Sequence, residues 1–308
     1  MNTKTNYTEI LEQIYNDIAP QLGSGKVADY IPELGKVDPN QFGISICHNS
    51  NDEYIIGNAE KQFSIQSVSK VFSLALAYKL EGEKLWARLG KEPSGTRFDS
   101  LILLENENGI PRNPFINAGA LVVTDILLAH YKDPVAEILK FVRTLSGNPE
   151  ININESVSQS EVDFANRNYA LTYYMKNHGN IYANVDDIIK TYSSQCSIEM
   201  SCVDLARSFR LFSSSGLNPW NGEKILTKSQ NKRINAILMT CGLYNAVGDF
   251  AYRVGIPAKS GVGGGIVGVI PGEMSIATWS PALDQTGNSL LGIKSLEMFT
   301  TLTEQSIY

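Results

Sequence analysis

The order of apolar and polar residues predicts a helix, a β-hairpin, a long helical middle and a return to strands. Residues 7–22 carry apolar side chains on one face of a helix, and residues 41–47 alternate as a strand does. After a turn at "HNSNDE", the segment "EYIIGNA" is predicted to form the second strand of the hairpin. The middle of the chain, from about residue 80 to 250, contains six stretches with helical spacing, and several of them end in glycine.

The C-terminal part of the pattern returns to strands. The segments "GIPAKSGVGGGIVGVIP" and "MSIATWSP" have strand character and are joined at "PGE", and a final helix is predicted from about residue 289 to 305. The first and last parts are therefore expected to share one sheet, with the helical part inserted between them. We expect an α+β fold in a single domain, residues 1–308. Its sheet subdomain covers about residues 1–80 and 250–308, and its helical subdomain about residues 81–249.

Composition narrows the classes of partner. With 308 residues, 43% of them hydrophobic, the chain is long enough to bury a large core. The formal charge of −6 and the lack of a basic cluster argue against nucleic acid and anionic membranes as partners. The apolar runs are too short to span a bilayer, and the first residues lack the apolar segment of a signal peptide. A cytoplasmic protein is therefore expected.

Cysteine and histidine usage argues against a metal site. The four cysteines, Cys47, Cys196, Cys202 and Cys241, form no C-x-x-C pair, and the chain has only three histidines. Free thiols in a reducing compartment are the interpretation that fits this usage.

Ser67 and Lys70 stand at the start of an otherwise apolar helix in "QFSIQSVSKVFSLALAYKL". Residues three apart project from the same face of a helix, so the hydroxyl and the amine would meet at its first turn. The pair can be a nucleophile and its base, because serine is a weak nucleophile until a neighbour takes its proton, and burial makes a lysine easier to deprotonate. The alternative is an N-cap serine and a lysine whose amine reaches solvent.

Two further motifs match functional patterns but lack the context that those functions need. Ser229 and Lys232 repeat the S-x-x-K spacing inside the polar run "TKSQNKR", which predicts an exposed segment. Residues 263–268 fit G-x-G-x-x-G, but Pro271 follows too soon for the helix that a dinucleotide site requires. We interpret these glycines as positions where the backbone closely approaches another backbone or a ligand.

Lys259, Ser260 and Gly261 form a K-S-G motif on a late strand. An S-x-x-K helix after a hairpin, followed by a helical insert and a K-[ST]-G strand, resembles the serine β-lactamases and penicillin-binding proteins. The middle motif of those enzymes, S-D-N or Y-x-N, is not clearly present, because Tyr192 is followed by two serines and no asparagine. This difference argues against β-lactam or peptidoglycan chemistry.

A closer resemblance covers the chain from about residue 28 to 293. The chain resembles the bacterial and mitochondrial glutaminases, which share the serine β-lactamase/transpeptidase-like fold. In that fold a central antiparallel sheet is flanked by terminal helices and carries a large helical insert. The matching stretches are "VADYIPELG", "FSIQSVSKVF", "RNPFINAGA", "SEVDFANRNYALTYYM", "YSSQCSI", "GLYNAVGDFAYRVGIPAKSGVGGGIVGV" and "ATWSPALDQTGNSLLG". The resemblance implies hydrolysis of L-glutamine to L-glutamate and ammonia without a metal or organic cofactor, by a homodimer or homotetramer.

The resemblance also implies a set of site residues. Ser67 is expected to be the nucleophile that forms an acyl-enzyme, and Lys70 its base. The residues that match the family's substrate-contacting positions are Tyr30, Ser67, Asn117, Glu161, Asn168, Tyr192, Tyr244 and Val262.

Individual roles can be assigned to most of these positions by the same resemblance. Glu161 is expected to hold the substrate ammonium, and Asn117 and Asn168 its carboxylate. The backbone N–H groups of Ser67 and Val262 are the expected donors to the oxyanion. Tyr192, or as second choice Tyr244, is expected to pass a proton to the leaving ammonia.

Each position also has a structural interpretation, and two other functions stay open. Taken singly, the tyrosines could be core-edge residues, the asparagines turn or cap residues, and Glu161 an acid near a helix N-terminus. The roles of Lys259 and Ser260 are left open. The rival functions are another serine amidohydrolase or peptidase of the same fold and a non-catalytic amino-acid-binding protein. Ammonia release from glutamine, compared with hydrolysis of a chromogenic ester or a β-lactam, separates the first rival, and stoichiometric binding of glutamine without turnover would favour the second.

Overall fold

An antiparallel sheet lies at the centre of the computed structural model, which describes residues 5–95 and 99–308. The strands are β1 (Gly43–His48), β2 (Glu53–Gly57), β3 (Phe63–Ser64), β4 (Asn152–Ile153), β5 (Ile198–Met200), β6 (Ala258–Ser260), β7 (Gly265–Ile270) and β8 (Met274–Trp279). The central sheet has the order β2-β1-β8-β7-β6. Gly43 of β1 lies opposite Trp279 of β8. This pairing confirms that the first and last parts of the pattern share one sheet.

Helices occupy most of the remaining chain. They are α1 (Tyr7–Ile18), α2 (Ser69–Glu81), α3 (Ile102–Asn106), α4 (Asn117–His130), α5 (Pro134–Ser146), α6 (Glu155–Asp163), α7 (Asn166–Asn177), α8 (Val185–Cys196), α9 (Cys202–Ser213), α10 (Lys228–Cys241), α11 (Val247–Arg253) and α12 (Leu290–Thr303). The run from α3 to α10 is the long helical insert that the pattern predicted.

Helices cover both faces of the central sheet. The terminal helices α1 and α12 pack together against one face, where Leu11, Ile14 and Phe299 are buried. Helix α9 packs on β1, β7 and β8 from the other face. Because both faces are covered, β7 and β8 are buried along their whole length, which explains their nearly continuous apolar sequence. The architecture is the expected α+β fold, with terminal helices on the sheet and a large helical insert.

The structure corrects two predictions near the N-terminus. The helix predicted for residues 7–22 ends at Ile18, and residues 19–21 form a 3₁₀ turn. Pro20 explains this end, because proline has no N–H for the helical ladder and its ring collides with the preceding turn. The alternation predicted for residues 41–47 is also wrong as a burial pattern. Strand β1 is buried on both sides, since α9 covers the face expected to be polar.

Two longer predicted elements are divided in the structure. The strand segment at residues 255–271 forms β6 and β7, which pair with each other across a turn at residues 261–264. The helical stretch at residues 163–179 begins only at Asn166, because α6 ends at Asp163 and a short break follows.

A second, small sheet was not predicted. Its order is β3-β5-β4, and Phe63 of β3 pairs with Met200 of β5. Strands of two or three residues are too short to show a period of two, so the sequence pattern carries no signal for them. The sheet fixes the segment just before Ser67 to the helical insert.

Two other sequence expectations can be compared with the described residues. All four cysteines are buried and free. Among residues 5–95 and 99–308, no helix is long and apolar enough to cross a membrane.

Candidate active site

Ser67 lies in a 3₁₀ turn that leads directly into α2. The turn spans Gln66–Val68, and Gln66 has a φ of 49°, a left-handed conformation that is uncommon for residues other than glycine. Ser67 itself is 8% exposed. The residue at the N-cap position of α2 is Val68, and it makes no side-chain capping bond. The interpretation of Ser67 as an N-cap is therefore wrong.

Lys70 is buried on the first turn of α2. Its side chain is 2% exposed, so the alternative of an amine that reaches solvent is wrong. The Lys70 Nζ donates to Asn117 Oδ1 at 2.7 Å and to the Phe115 carbonyl oxygen at 3.3 Å. Burial lowers the pKa of Lys70 to about 8. A substantial fraction of the amine is therefore neutral at mildly alkaline pH and able to accept a proton.

A cavity of about 340 Å³ opens at Ser67. The residues that line it are Tyr30, Ile31, Gln66, Ser67, Asp99, Asn117, Glu161, Phe164, Arg167, Asn168, Tyr192, Cys196 and Val262. Seven of the eight predicted substrate residues are in this set. The side chain of Tyr30 is 53% exposed, which places it at the mouth of the cavity.

Tyr244, the eighth predicted residue, is buried beside the cavity. A side-chain hydrogen bond links Tyr244 with Ser67, and the Tyr244 hydroxyl donates its proton to the Ser260 carbonyl oxygen at 3.4 Å. Burial raises the pKa of Tyr244 to about 12. Its hydroxyl is therefore protonated at neutral pH and stands next to the predicted nucleophile.

Asn117 connects the predicted base with the helical wall of the cavity. Besides accepting from Lys70, Asn117 Oδ1 accepts from the Tyr192 hydroxyl at 3.3 Å, and Asn117 Nδ2 donates to Asn168 Oδ1 at 3.0 Å. Helices α4, α7 and α8 supply Asn117, Asn168 and Tyr192 respectively. One network of hydrogen bonds thus orders Lys70 and three of the predicted substrate residues.

Glu161 forms an acidic part of the cavity wall, which Asp99 also lines. Burial raises its pKa to about 7, while a hydrogen bond with Gln66 and the charge of Lys70 oppose this rise. A carboxylate in such surroundings gains from a cation placed beside it, because the partner charge offsets part of the cost of desolvation. The position therefore suits the ammonium group of a ligand.

The glycine-rich turn at residues 261–264 packs directly against the segment that carries Ser67. A Cβ at Gly261 would lie 2.5 Å from the Ile65 carbonyl oxygen, and one at Gly263 would lie 2.2 Å from the Ser64 carbonyl oxygen. Only residues without a Cβ allow this approach. The contact explains why Val262 reaches the cavity, and it confirms the close-approach interpretation of these glycines.

Several residues of the site were missed by the sequence analysis. Gln66, Cys196 and Arg167 line the cavity, and the Phe115 carbonyl accepts from the base. Cys196 lies four residues after Tyr192 on α8, so helical spacing could have indicated it. Lys259, whose role was left open, is fully buried; its Nζ donates to the Gly242 and Ser260 carbonyl oxygens at 2.9 and 2.7 Å.

Comparison with known proteins identifies a family that matches nearly the whole chain. A family model described as Glutaminase matches residues 25–308. The glutaminase of Ralstonia nicotianae is 52% identical over 303 residues, which cover 98% of this chain and all of the relative. The glutaminase of Paraburkholderia phytofirmans is 50% identical over the same shares of the two chains.

Solved structures of similar chains point the same way. A probable glutaminase from Bacillus subtilis, complexed with 6-diazo-5-oxo-L-norleucine, is 32% identical with a TM-score of 0.88, and the match covers all of this chain and 99% of the other. A covalent complex of the B. subtilis glutaminase YbgJ with 5-oxo-L-norleucine, formed by reaction with the same compound, has the same identity and TM-score, over 98% of this chain and 100% of the other.

Proposed function

Because the chain belongs to the glutaminase family, we propose that it hydrolyses L-glutamine to L-glutamate and ammonia through an acyl-enzyme on Ser67. The observation that carries this proposal is the buried Lys70 amine on the helix that follows Ser67, at a cavity with Glu161 in its wall. An amine with a pKa of about 8 can take the serine proton near neutral pH, whereas a solvated lysine cannot.

The proposed reaction has two stages. Neutral Lys70 takes the hydroxyl proton of Ser67, the Ser67 Oγ attacks the side-chain amide carbon, and the resulting oxyanion accepts hydrogen bonds from the Ser67 and Val262 N–H groups. The C–N bond then breaks, and the leaving NH2 group departs as ammonia after it takes up, through a tyrosine hydroxyl, the proton that Lys70 removed from Ser67. Water, activated in the same way, cleaves the ester and releases glutamate. Tyr244 is better placed than Tyr192 to relay the proton, since its side chain is hydrogen-bonded to Ser67.

The simplest test measures ammonia release from L-glutamine by the purified protein without added metal. A chromogenic ester and a β-lactam in parallel assays distinguish a glutaminase from another serine hydrolase of the same fold. Binding of glutamine in stoichiometric amounts without turnover would instead indicate an amino-acid-binding protein.

The substrate's charged ends should be held by Glu161, Asn117 and Asn168. L-Asparagine is one methylene shorter than glutamine, so its amide carbon would fall short of Ser67 while its α-groups are held. A misplacement of about 1 Å can cost roughly a hundredfold in rate. A simple amide lacks the α-amino and α-carboxylate groups, so it loses the binding energy that positions the reacting carbon. Strong preference for glutamine over both compounds follows from this arrangement.

Replacing Glu161 with glutamine should lower kcat/KM for L-glutamine while leaving the fold intact. The substituted amide is nearly isosteric but carries no charge to pair with the substrate ammonium, and loss of the partner charge of a buried pair costs about 2–5 kcal/mol. Steady-state kinetics with glutamine, asparagine and an amide lacking the α-amino group measure the effect. An unchanged kcat/KM in the variant would show that Glu161 does not bind the substrate ammonium. Equal wild-type kcat/KM values for the three compounds would refute binding of the substrate through its α-amino and α-carboxylate groups.

The pH profile of kcat/KM should rise across the neutral range. Activity requires Lys70 without its proton and Glu161 with its charge, and the free enzyme holds these groups at pKa values of about 8 and about 7. Both deprotonations favour the active form as pH increases, so the profile should climb steeply below pH 7 and level off above about 8 to 9. Initial rates at low substrate concentration measure it. A profile that falls across this range would contradict lysine as the base.

We further propose a homodimer or homotetramer in the cytoplasm. Large side chains such as Tyr173, Tyr182 and Tyr252 are 58–90% exposed, which favours contact with another subunit. The free buried cysteines are those of a protein in a reducing compartment. Sedimentation velocity and cell fractionation measure the two properties.

A further inference from the structure

A buried asparagine, Asn113, lies in the turn that precedes α4. Its side chain is 1% exposed, and each end of its amide has a partner. Asn113 Oδ1 accepts from the backbone N–H groups of Phe115 and Ile116 at 3.0 and 3.1 Å, while Nδ2 donates to the Glu92 carbonyl oxygen at 2.9 Å. The side chain thus fixes the turn internally and ties it to a neighbouring segment.

The same turn supplies both acceptors named above for the Lys70 amine. They are the carbonyl oxygen of Phe115 and the side-chain oxygen of Asn117, the first residue of α4. Ile116, at the N-cap of this helix, makes no side-chain capping bond, so the asparagine oxygen takes over part of that function from three residues upstream.

The turn is also held from the helix side. A Cβ at Gly119 would lie 2.0 Å from the Asn113 carbonyl oxygen, so helix α4 packs directly on the backbone of the turn. With contacts on both sides, the positions of the Phe115 carbonyl and of Asn117 depend on the conformation that the Asn113 side chain selects.

We propose that Asn113 is a positioning residue for the base: its side chain holds the turn that carries two hydrogen-bond acceptors of Lys70. The inference rests on the proposed glutaminase function. Asn113 acts through geometry and brings no charge, whereas the charged or titratable groups that act on Lys70 are Glu161, Cys196 and Lys259. The ring of Tyr192, with its centroid 5.7 Å from the Lys70 Nζ, completes these surroundings.

The test replaces Asn113 with alanine in the full chain and measures kcat, KM and the pH profile for glutamine. We expect kcat to fall by about 10- to 100-fold, because a displaced amine removes the serine proton less well, while KM changes by less than about threefold. The rising limb of kcat/KM should also move to lower pH. Acceptors that hydrogen-bond the ammonium favour its charged form, and a turn that no longer presents them lets the proton leave more easily.

Two further variants separate positioning from stability. Asn218→Ala is a matched control, because Asn218 is 5% exposed and its Oδ1 accepts from the Trp220 N–H at 2.9 Å in a turn of the same kind. Asn218→Ala should lower the melting temperature without moving the rising limb of the pH profile of kcat/KM. Asn113→Ser keeps an oxygen within reach of the turn N–H groups and should restore part of kcat. The serine variant also decides the question if the alanine variant does not fold.

The proposal would be overturned if Asn113→Ala lowered kcat without moving the rising limb of the pH profile of kcat/KM. It would also be overturned if Asn218→Ala moved that limb to the same extent. Wild-type kinetics in the folded serine and alanine variants would overturn it as well. Measuring the wild-type protein in the same assay separates the test of the glutaminase function from the test of the role of Asn113. Absence of ammonia release from the wild type would refute the proposed function, whereas an active wild type with any of the outcomes above would refute the role of Asn113 alone.

Discussion

Replacing Ser67 with alanine should abolish turnover of L-glutamine and leave its binding nearly unchanged. The substitution removes the oxygen of the proposed acyl-enzyme but leaves Glu161 and Asn168, the residues proposed to hold the substrate. Loss of a nucleophile that acts as a unit with its base costs on the order of 10⁶-fold in kcat in a well-studied serine hydrolase. Ammonia release measures turnover, and isothermal titration calorimetry measures binding. Full activity in Ser67→Ala would refute the covalent mechanism.

The chain contains its own control for this substitution. Ser229 and Lys232 have the same spacing, but both are exposed on α10. Ser229→Ala should therefore keep wild-type kinetics. Incubation with 6-diazo-5-oxo-L-norleucine, followed by mass spectrometry of the intact protein, adds a direct readout. A covalent adduct is expected on the wild type and on Ser229→Ala, and none is expected on Ser67→Ala.

Replacing Lys70 with methionine should reduce kcat almost as severely. Methionine fills a similar volume in the apolar surroundings of α2 but cannot accept the serine proton. Because the proposed mechanism uses the two residues in one step, the double variant Ser67→Ala/Lys70→Met should be little slower than either single variant. Lys232→Met is the control with wild-type activity. If kcat of the double variant fell by the product of the two single fold-reductions, the two residues would act independently and not in one step.

The variant Lys70→Met should also differ from the wild type in the pH dependence of its stability. The pKa of Lys70 lies at about 8 in the folded protein and near 10.5 in the unfolded chain, so folding disfavours the charged amine. This costs about 3 kcal/mol at pH 7, below both values, and the cost disappears as pH rises through 8 to above 10.5. Loss of two hydrogen bonds in Lys70→Met does not depend on pH. The melting temperature of the wild type minus that of Lys70→Met should therefore increase between pH 7 and pH 10.

Local signals were sufficient for most of the longer elements and for the Ser67–Lys70 pair. The helical spacing in α4, α5 and α8 is long enough to be recognised, and both ends of the chain show strand patterns. Motif context distinguished Ser67–Lys70 from Ser229–Lys232, because only the first pair precedes an apolar helix. The other predicted residues that line the cavity came from the resemblance to a family, since Tyr30 and Asn168 have no individual signal in a single sequence.

Features that depend on contacts between distant segments could not be predicted. The Phe115 carbonyl became an acceptor for Lys70 only when α4 packed on α2, and any residue type offers a carbonyl. The left-handed backbone of Gln66 and the exact fit of Gly263 against the Ser64 carbonyl likewise depend on the tertiary structure. Short strands such as β3 and β5 form because they pair with each other, and neither has a pattern of its own.

The pairing of β1 with β8 has a consequence for the order of events in folding. Strands that are close in sequence can meet early, but the pairing of Gly43 with Trp279 closes a loop that contains the whole helical insert. Such pairings of high contact order are slow to form. Strands β6 and β7 join the sheet through β8, and the turn between them carries Val262 to Ser67. Catalytic competence is therefore a late product of folding, acquired after the helices, and recovery of activity on refolding measures the closure of the sheet.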